Sequence, residues 1–160
     1  MNDDSMREKA DVLGVKAELL AQACDMIREQ EISCVVISGD TVVHKADGRG
    51  VAPLLHLYSN QRATLDGSCV VDRVIGKAAA IILTLGKAKA VYGEVMSAAA
   101  QGYLAGAGIP CQYGSCVDVI TGQGGMGICP IEASVLDIDD PEAGFAALTK
   151  RVAELRGSAV

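Results

Sequence analysis

The sequence predicts an α/β protein, a three-layer α/β/α sandwich with a mixed sheet. The first observation is the order of the predicted elements: helix, β-hairpin, helices, strand, helix, strand and helix. The second is that both hairpin segments are apolar on both faces, as strands are when helices cover each side of a sheet. The third is composition, because 50% of the residues are hydrophobic and 21% are charged, which is typical of a globular chain.

Length and charge narrow the class of protein. The 160 residues predict a single domain, 1–160, with its core over about residues 10–155. A net charge of −6 and an aromatic content of 3% argue against nucleic-acid binding, since a phosphate backbone is repelled and few rings can stack on bases. The N-terminus has no apolar signal core, and the apolar run from Ala78 to Leu83 is too short to span a bilayer. We expect a cytoplasmic protein without membrane contact.

The first third of the chain predicts a helix and a hairpin. Apolar residues recur at three- and four-residue spacing over residues 6–30, which indicates an amphipathic helix. Ile32–Ile37 and Thr41–Ala46 are short β-rich segments. They are joined by residues 38–40, Ser-Gly-Asp, which suit the positive φ of a tight hairpin turn.

A cationic loop and a helix come next. Arg49 stands between two glycines, and Val51–Tyr58 is predicted to be helical with Pro53 in its first turn. A flexible arginine loop leading into a helix N-terminus can clamp an anion, although a solvated turn explains Arg49 equally well. His44 and His56 have no evident third ligand, which favours surface or satisfied histidines over a metal site.

The centre of the chain is predicted to be a buried helix. The segment from about Cys69 to Leu85 is apolar nearly all round, and such a helix is buried. Its first turns nevertheless carry Asp72 and Lys77. Charged groups are rarely buried unless they are paired, so these two either are solvated at the helix mouth or line a site.

A strand and a helix follow the central helix. Lys89–Val95 is predicted as a strand, and Ser97 can cap a helix that runs to about Gly106. Glu94 is predicted near the carboxyl end of that strand, where ligands gather in sheet-and-helix folds. Alternatively, Glu94 is a solvated loop carboxylate or an internal partner for Lys77.

A glycine-rich stretch follows the next extended segment, Cys111–Ile120. Gly122, Gly124 and Gly127 spell GxGxxG, but a dinucleotide fingerprint should open a βαβ unit, and after a short helix at this stretch the chain has only the helix Pro141–Leu155 left. A glycine loop whose backbone N–H groups, including those of Gly125 and Gly127, face an anion or a carbonyl fits better.

The end of the chain predicts two helix starts. Cys129 precedes Pro130, a favoured first helical residue, and helix N-termini lower thiol pKa values. Glu132 has capping-box spacing and can reach back to the Cys129 backbone N–H, so Cys129 is either a functional thiol or a packed cap residue. Pro141–Leu155 is the last predicted helix, capped by Asp140.

Three stretches carry a resemblance: Asp47–Leu55, Val71–Ala80 and Gly127–Glu132. With the element order, they resemble an uncharacterised prokaryotic domain family that has a cytidine-deaminase-like fold and lacks the zinc-binding motifs. The resemblance implies a sandwich with a cleft at the starts of two central helices. Zinc deaminases open those helices with His-x-Glu (or Cys-x-Glu) and Pro-Cys-x-x-Cys, and this chain has neither. The six cysteines also form no CxxC pair, so we expect free thiols, no metal and no cofactor.

The first functional hypothesis is a binding module. A zinc-free cleft at the helix N-termini would hold a small anionic or nucleotide-like ligand. The candidate ligand-binding residues are Arg49, Asp72, Lys77, Gly125 and Gly127.

Two other hypotheses come from different classes. In an enzyme, Cys129 would act as nucleophile or sulfur carrier, with Lys77 or Glu94 moving protons. In a structural protein, the small residues of Ala98–Ala100 and Ala105–Ala107 would permit close helix packing in a homo-oligomer.

Overall fold

A computed structural model describes residues 3–122 and 127–158. Its strands form one mixed five-stranded sheet in the order β2-β1-β3-β4-β5, with β3, β4 and β5 parallel and β1 antiparallel to both its neighbours. The elements along the chain are α1 (Asp3–Leu13), α2 (Ala17–Glu29), β1 (Cys34–Ser38), β2 (Thr41–Ala46), α3 (Ala52–Asn60), a 3-10 turn (Arg62–Thr64), β3 (Cys69–Ile75), α4 (Lys77–Leu85), β4 (Ala90–Ser97), α5 (Ala98–Gly106), β5 (Cys111–Val117), α6 (Pro130–Ala133) and α7 (Pro141–Ser158).

Two apolar clusters lie on opposite sides of the sheet. On one side, α1 and α2 pack against Val35 and Val71; we call this side the α2 face. On the other side, α3 to α7 pack against Val36 and Val70; we call this side the α4 face. Neighbouring strand residues point to opposite faces, so one sheet serves both clusters. The predicted α/β architecture, with a mixed sheet between two helical layers, is confirmed.

The hairpin forms as predicted, with Gly39 at φ 58° in its turn. One expectation about it is wrong, since β2 is not covered on both faces. Its residues alternate between half-buried and exposed, and Val43 is 48% exposed. The strand is at the edge of the sheet, where Val42 and Ala46 are only partly buried against the two helical layers.

The predicted helix from Cys69 to Leu85 is two elements. Its first part is the strand β3, and the helix α4 begins only at Lys77, after Gly76 in an extended conformation with ψ −176°. A strand covered on both faces is as continuously apolar as a buried helix, so periodicity does not separate the two. The β-branched residues of the first half are what favour the strand.

Residues 6–30 are likewise two helices rather than one. Gly14, at φ 72°, ends α1, and the Val15 N–H donates to Ala10 O at 3.1 Å. The predicted caps of two later helices are confirmed, because Ser97 Oγ accepts from Ala100 N at 3.1 Å and Asp140 Oδ2 accepts from Ala143 N at 2.8 Å. Within residues 3–122 and 127–158, no helix is long and apolar enough to cross a membrane.

Candidate functional site

The N-terminus of α4 is occupied by a carboxylate of the chain itself. Glu132, on α6, is 5% exposed and accepts hydrogen bonds from the backbone N–H groups of Lys77 and Ala78, each at 2.8 Å. This is the contact that a bound anion makes at a helix N-terminus. Gly76 permits it, because a Cβ there would lie 2.4 Å from Glu132 Cδ. Desolvation raises the pKa of Glu132, and the two N–H groups and Lys77 oppose that rise.

The capping-box interpretation of Glu132 is therefore wrong. The Cys129 N–H donates to Ile120 O at 2.9 Å, and the Glu132 side chain points to α4 instead. α6 has only four residues, and the N–H groups at the start of its longer neighbour α4 satisfy the Glu132 carboxylate. A sequence pattern identifies a side chain that can accept hydrogen bonds from a helix N-terminus, but it does not show which of two packed helices is capped.

The side chain of Lys77 binds the segment that follows α6 to the start of α4. Its Nζ donates to Leu136 O at 2.9 Å and lies 3.4 Å from Asp139 Oδ1. The Lys77 side chain is 6% exposed, whereas that of Asp139 is 98% exposed. The ammonium also lies 5.7 Å from the centre of the Tyr103 ring, within the range of a cation–π contact.

A groove of about 500 Å³ opens beside Lys77, between α4, α5 and the start of α7. Small residues of α5 form much of its wall, with Tyr103 and Asp139 at its polar end. Its volume is in the range of small-molecule sites. The groove thus combines a nearly buried cation with a wall of small apolar residues.

Asp72 lies inside β3 rather than at a helix mouth. It is opposite Cys34 on β1 and Gly93 on β4, and it is 4% exposed. Burial raises the pKa of the Asp72 carboxyl to about 8, and the backbone N–H groups of Arg73 and Val74 oppose the rise. Asp72 is a buried group of the sheet and does not line the groove.

Glu94 is on the α2 face, away from Lys77. Arg28 of α2 donates to Glu94 Oε2 through Nε and Nη2, both at 3.3 Å, and its Nη2 lies 3.1 Å from Oε1. The buried Cys24 thiol and Tyr92 hydroxyl are its other electrostatic neighbours. The partner of Glu94 is thus Arg28, and the suggested Glu94–Lys77 pair is not formed.

The remaining predicted residues are dispersed. Arg49 is exposed in the turn before α3, and Gly127, at φ 72°, accepts a backbone hydrogen bond from Gly122 N through its carbonyl. Gly125 lies outside the described residues. Cys129 is confirmed as the N-cap residue of α6, and it is half-buried.

Four groups that the sequence did not predict as site residues are central to these arrangements: Glu132 at the start of α4, Tyr103 beside Lys77, and Arg28 and Tyr92 around Glu94. Glu132, Tyr103 and Arg28 come from elements distant in sequence from their partners, whereas Tyr92 is on the same strand as Glu94. The one local signal was Gly76, directly before α4, since a glycine there allows close approach of another group. Among the described residues, no group of three or more His, Cys, Asp or Glu side chains could hold a metal ion.

Comparisons with known proteins support one family. The crystal structure of a DUF1893 family protein (TM1506) from Thermotoga maritima is similar, with a TM-score of 0.77 and 28% identity over 86% of this chain and 92% of that one. A dCMP deaminase from the cyanophage S-TIM5 in apo form gives a TM-score of 0.40 and 12% identity, over 73% of this chain and 100% of the deaminase. No curated protein sequence matches.

The TM1506 family model, described as a domain of unknown function (DUF1893), matches residues 22–152. The family resemblance that the sequence suggested is confirmed at this level. Because the matched region is most of the 160-residue chain, this protein belongs to the DUF1893 family.

Proposed function

We propose that the protein binds a small anionic, nucleotide-like molecule in the groove between α4, α5 and the start of α7. The observation that carries this proposal is the Lys77 ammonium, which is nearly buried, lines the groove and has a fully exposed carboxylate as its ion-pair partner. Lys77 is the ligand-binding residue, and the small residues of α5 form the surface for the ligand's flat part.

Electrostatics supports an anion at Lys77. Removing an ammonium from water is costly unless the charge is compensated. Asp139 compensates it from 3.4 Å with a side chain that is 98% exposed, and an ion pair with such a partner is worth little. A phosphate or carboxylate entering the groove can replace Asp139 at small cost, and Leu136 O keeps the ammonium in place.

The position of Glu132 refines the first hypothesis. The two N–H groups at the start of α4 already have a carboxylate, so they are not free for a ligand. The ligand anion is held by the Lys77 side chain instead of by the helix N-terminus. Arg49, Asp72 and Gly127 do not line the groove and have no part in this proposal.

The shape of the groove suits a planar body. Ala98, Ala99 and Gly102 present little side chain, and the Tyr103 ring lies next to the cation. A nucleobase could lie on this surface with its phosphate at Lys77. We further propose that the protein acts in the cytoplasm, where a reducing environment keeps cysteines such as the six here as thiols.

The test fills the groove without touching Lys77. A Cβ added at Gly102 meets nothing within 4 Å, so Gly102→Leu should fold and obstruct the groove. The matched control is Gly157→Leu on α7, where a Cβ also meets nothing within 4 Å. The probes are nucleoside 5′-monophosphates and inorganic phosphate, with binding measured by calorimetry and bound molecules sought by native mass spectrometry.

We expect at least one monophosphate to bind the unaltered protein and the Gly157→Leu control, and Gly102→Leu to weaken it at least about tenfold, a change that corresponds to about 1.4 kcal/mol. Binding that is equal in all three proteins would place the ligand outside the groove. No binding of any probe to the unaltered protein, together with no retained small molecule in native spectra, would reject the proposal.

A homo-oligomer is the second candidate function, favoured by the surface of α5. This helix carries no charged residue, and Ala98, Gln101, Gly102 and Ala105 are exposed on it. Light scattering should give a mass above that of the 16.5 kDa chain if α5 is an interface, and Ala105→Arg, at an exposed position outside the groove lining, should return the mass to the monomer value. A monomer at high concentration would reject this candidate.

A further inference from the structure

We propose a second ligand site, on the α2 face, that binds a small zwitterion of the α-amino acid type. The site is a cavity of about 540 Å³ lined by Lys9, Arg28, Glu94, Val95, Gly114 and Ser115. It lies on the opposite side of the sheet from the groove at Lys77 and is independent of the function proposed there.

Two buried polar atoms in this region lack hydrogen-bond partners. Among the described residues, the hydroxyl of Tyr92 has no hydrogen-bond partner, and Oε1 of Glu94 has none besides its ion-pair contact with Arg28 Nη2 at 3.1 Å. Tyr92 is 0% exposed, and the Glu94 side chain is 18% exposed. Nearly all buried polar groups in native proteins are paired, because an unpaired one costs stability. An unpaired hydroxyl next to a cavity, beside a carboxylate whose partner is a half-exposed arginine, indicates that a ligand can bond to both groups.

The two groups converge at the lining of the cavity. A Cβ added at Gly114 would lie 3.5 Å from Tyr92 Oη and 3.5 Å from Glu94 Oε2. Gly114 and Glu94 both line the cavity. Because Gly114 has no side chain, only the β5 backbone at this position lies next to the Tyr92 hydroxyl and the Glu94 carboxylate.

Arg28 covers the carboxylate with a contact that opens easily. Its side chain is 42% exposed, its Nη2 lies 3.1 Å from Oε1, and both its hydrogen bonds to Oε2 are 3.3 Å long, at the weak end of the range. Ion pairs with a solvated partner contribute little, so separating Arg28 from Glu94 is inexpensive. Lys9 adds a second cation, whose Nζ donates to Tyr113 O at 2.7 Å.

The chemistry of the ligand follows from the groups that it must satisfy. Its carboxylate would form an ion pair with the Arg28 guanidinium and accept a hydrogen bond from the Tyr92 hydroxyl. Its ammonium would donate to Glu94 Oε1. The Arg28–Glu94 ion pair is thus replaced by two new ion pairs, one between Arg28 and the ligand carboxylate and one between Glu94 and the ligand ammonium. A molecule with a single charge can form only one of them. An α-amino acid carries both charges at the spacing of one carbon, and the cavity has room for a small one.

The experiment compares zwitterions with small ions that carry only the carboxylate or only the ammonium. The full-length protein is titrated with glycine and L-alanine, and with acetate and methylammonium, while amide chemical shifts are followed by NMR. We expect saturable shifts at Gly114 and Ser115 with a zwitterion, and affinities at least about tenfold lower for acetate and methylammonium. Equal binding of acetate would mean a simple anion site and would overturn the proposal, as would no binding of either zwitterion.

Two variants separate a ligand role from a structural one. Tyr92→Phe removes the unpaired hydroxyl, so the ligand-free protein should gain thermal stability while zwitterion affinity falls at least about tenfold. A drop in Tm would instead show that the hydroxyl supports the fold, and would overturn the proposal. Glu94→Gln should weaken zwitterions without affecting acetate. Tyr113→Phe, on the other face of β5, is the matched control and should leave binding unchanged.

Discussion

Glu132 and Glu94 are two partly or fully buried carboxylates on opposite faces of one sheet, and their surroundings differ. Both oxygens of Glu132 accept a backbone N–H at 2.8 Å. Both oxygens of Glu94 instead face the Arg28 side chain, Oε2 through hydrogen bonds of 3.3 Å and the buried Oε1 through an ion-pair contact of 3.1 Å. The first carboxylate is saturated by fixed groups and holds the fold together. The second is held by a flexible side chain, which leaves capacity for a ligand.

The two carboxylates differ because their hydrogen-bond partners differ in mobility. The backbone N–H groups of Lys77 and Ala78 cannot move without unwinding α4, and Gly76 lets the carboxylate approach them closely. Arg28 can rotate into solvent, because its side chain is 42% exposed. A contact made by a helix end is therefore structural, whereas one made by a long exposed side chain is exchangeable.

The largest expected effect is the loss of the Glu132 contact. Glu132→Ala leaves two buried N–H groups without an acceptor and opens a gap beside Gly76, so the free energy of unfolding should fall by about 2–4 kcal/mol. Urea unfolding measures it. Glu29→Ala, at an exposed position on α2, is the control and should change stability by less than about 0.5 kcal/mol. A loss below about 1 kcal/mol for Glu132→Ala would show that the contact is not a structural lock.

Asp72 is a third carboxylate, and it is buried without an ion-pair partner among the described residues. Its pKa is raised from 3.8 to about 8, so the folded state holds a proton that the unfolded state releases between those values. Stability linked to Asp72 is thus present in full below about pH 4 and is lost as pH rises to about 8.

The expected loss between about pH 5 and pH 8 is on the order of 2–4 kcal/mol, since each unit of pKa is worth about 1.4 kcal/mol. Asp72→Asn, which stays neutral, should flatten this dependence and be the more stable protein at about pH 8. Urea unfolding across the pH range decides it. Parallel profiles for the two proteins would mean that Asp72 ionises normally in the folded state.

A matched pair of substitutions sharpens the comparison directly. Glu94→Gln removes one side of a partly exposed ion pair and should cost less than about 1 kcal/mol. Glu132→Gln keeps one acceptor and directs an amide N–H at a backbone donor, so it should cost more, about 1–3 kcal/mol. Chemical unfolding of both variants ranks them, and the reverse order would contradict the distinction between the two faces.

Cysteine reactivity tests the thiol hypothesis. Burial raises the pKa of Cys24 and of Cys69 to about 12, so both should react with iodoacetamide at least about 100-fold slower than the exposed Cys116 at pH 8. Mass spectrometry of tryptic peptides gives the rates. If half-buried Cys129 reacts faster than Cys116, a nucleophilic role gains support. A rate at or below that of Cys116 favours a packed cap residue.

Much of the architecture follows from local sequence. Ser38-Gly39-Asp40 predicted the turn of the hairpin, Ser97 and Asp140 predicted two caps, and the element order predicted helical layers around a mixed sheet. These features depend on residues within a few positions of each other. The boundary inside Cys69–Leu85 did not follow, because a strand buried on both faces and a buried helix have the same apolar pattern.

The candidate site was the part that sequence could not assemble. The sequence alone determined that Lys77, Glu94 and Cys129 are chemically capable groups and that the zinc motifs are absent. Only the tertiary structure decided that Lys77 and Glu94 lie on opposite faces, and that Glu132 occupies the helix start where a ligand was expected. The reason is physical: which distant groups meet is set by strand order and by helix packing on each face, and neither is encoded in local spacing.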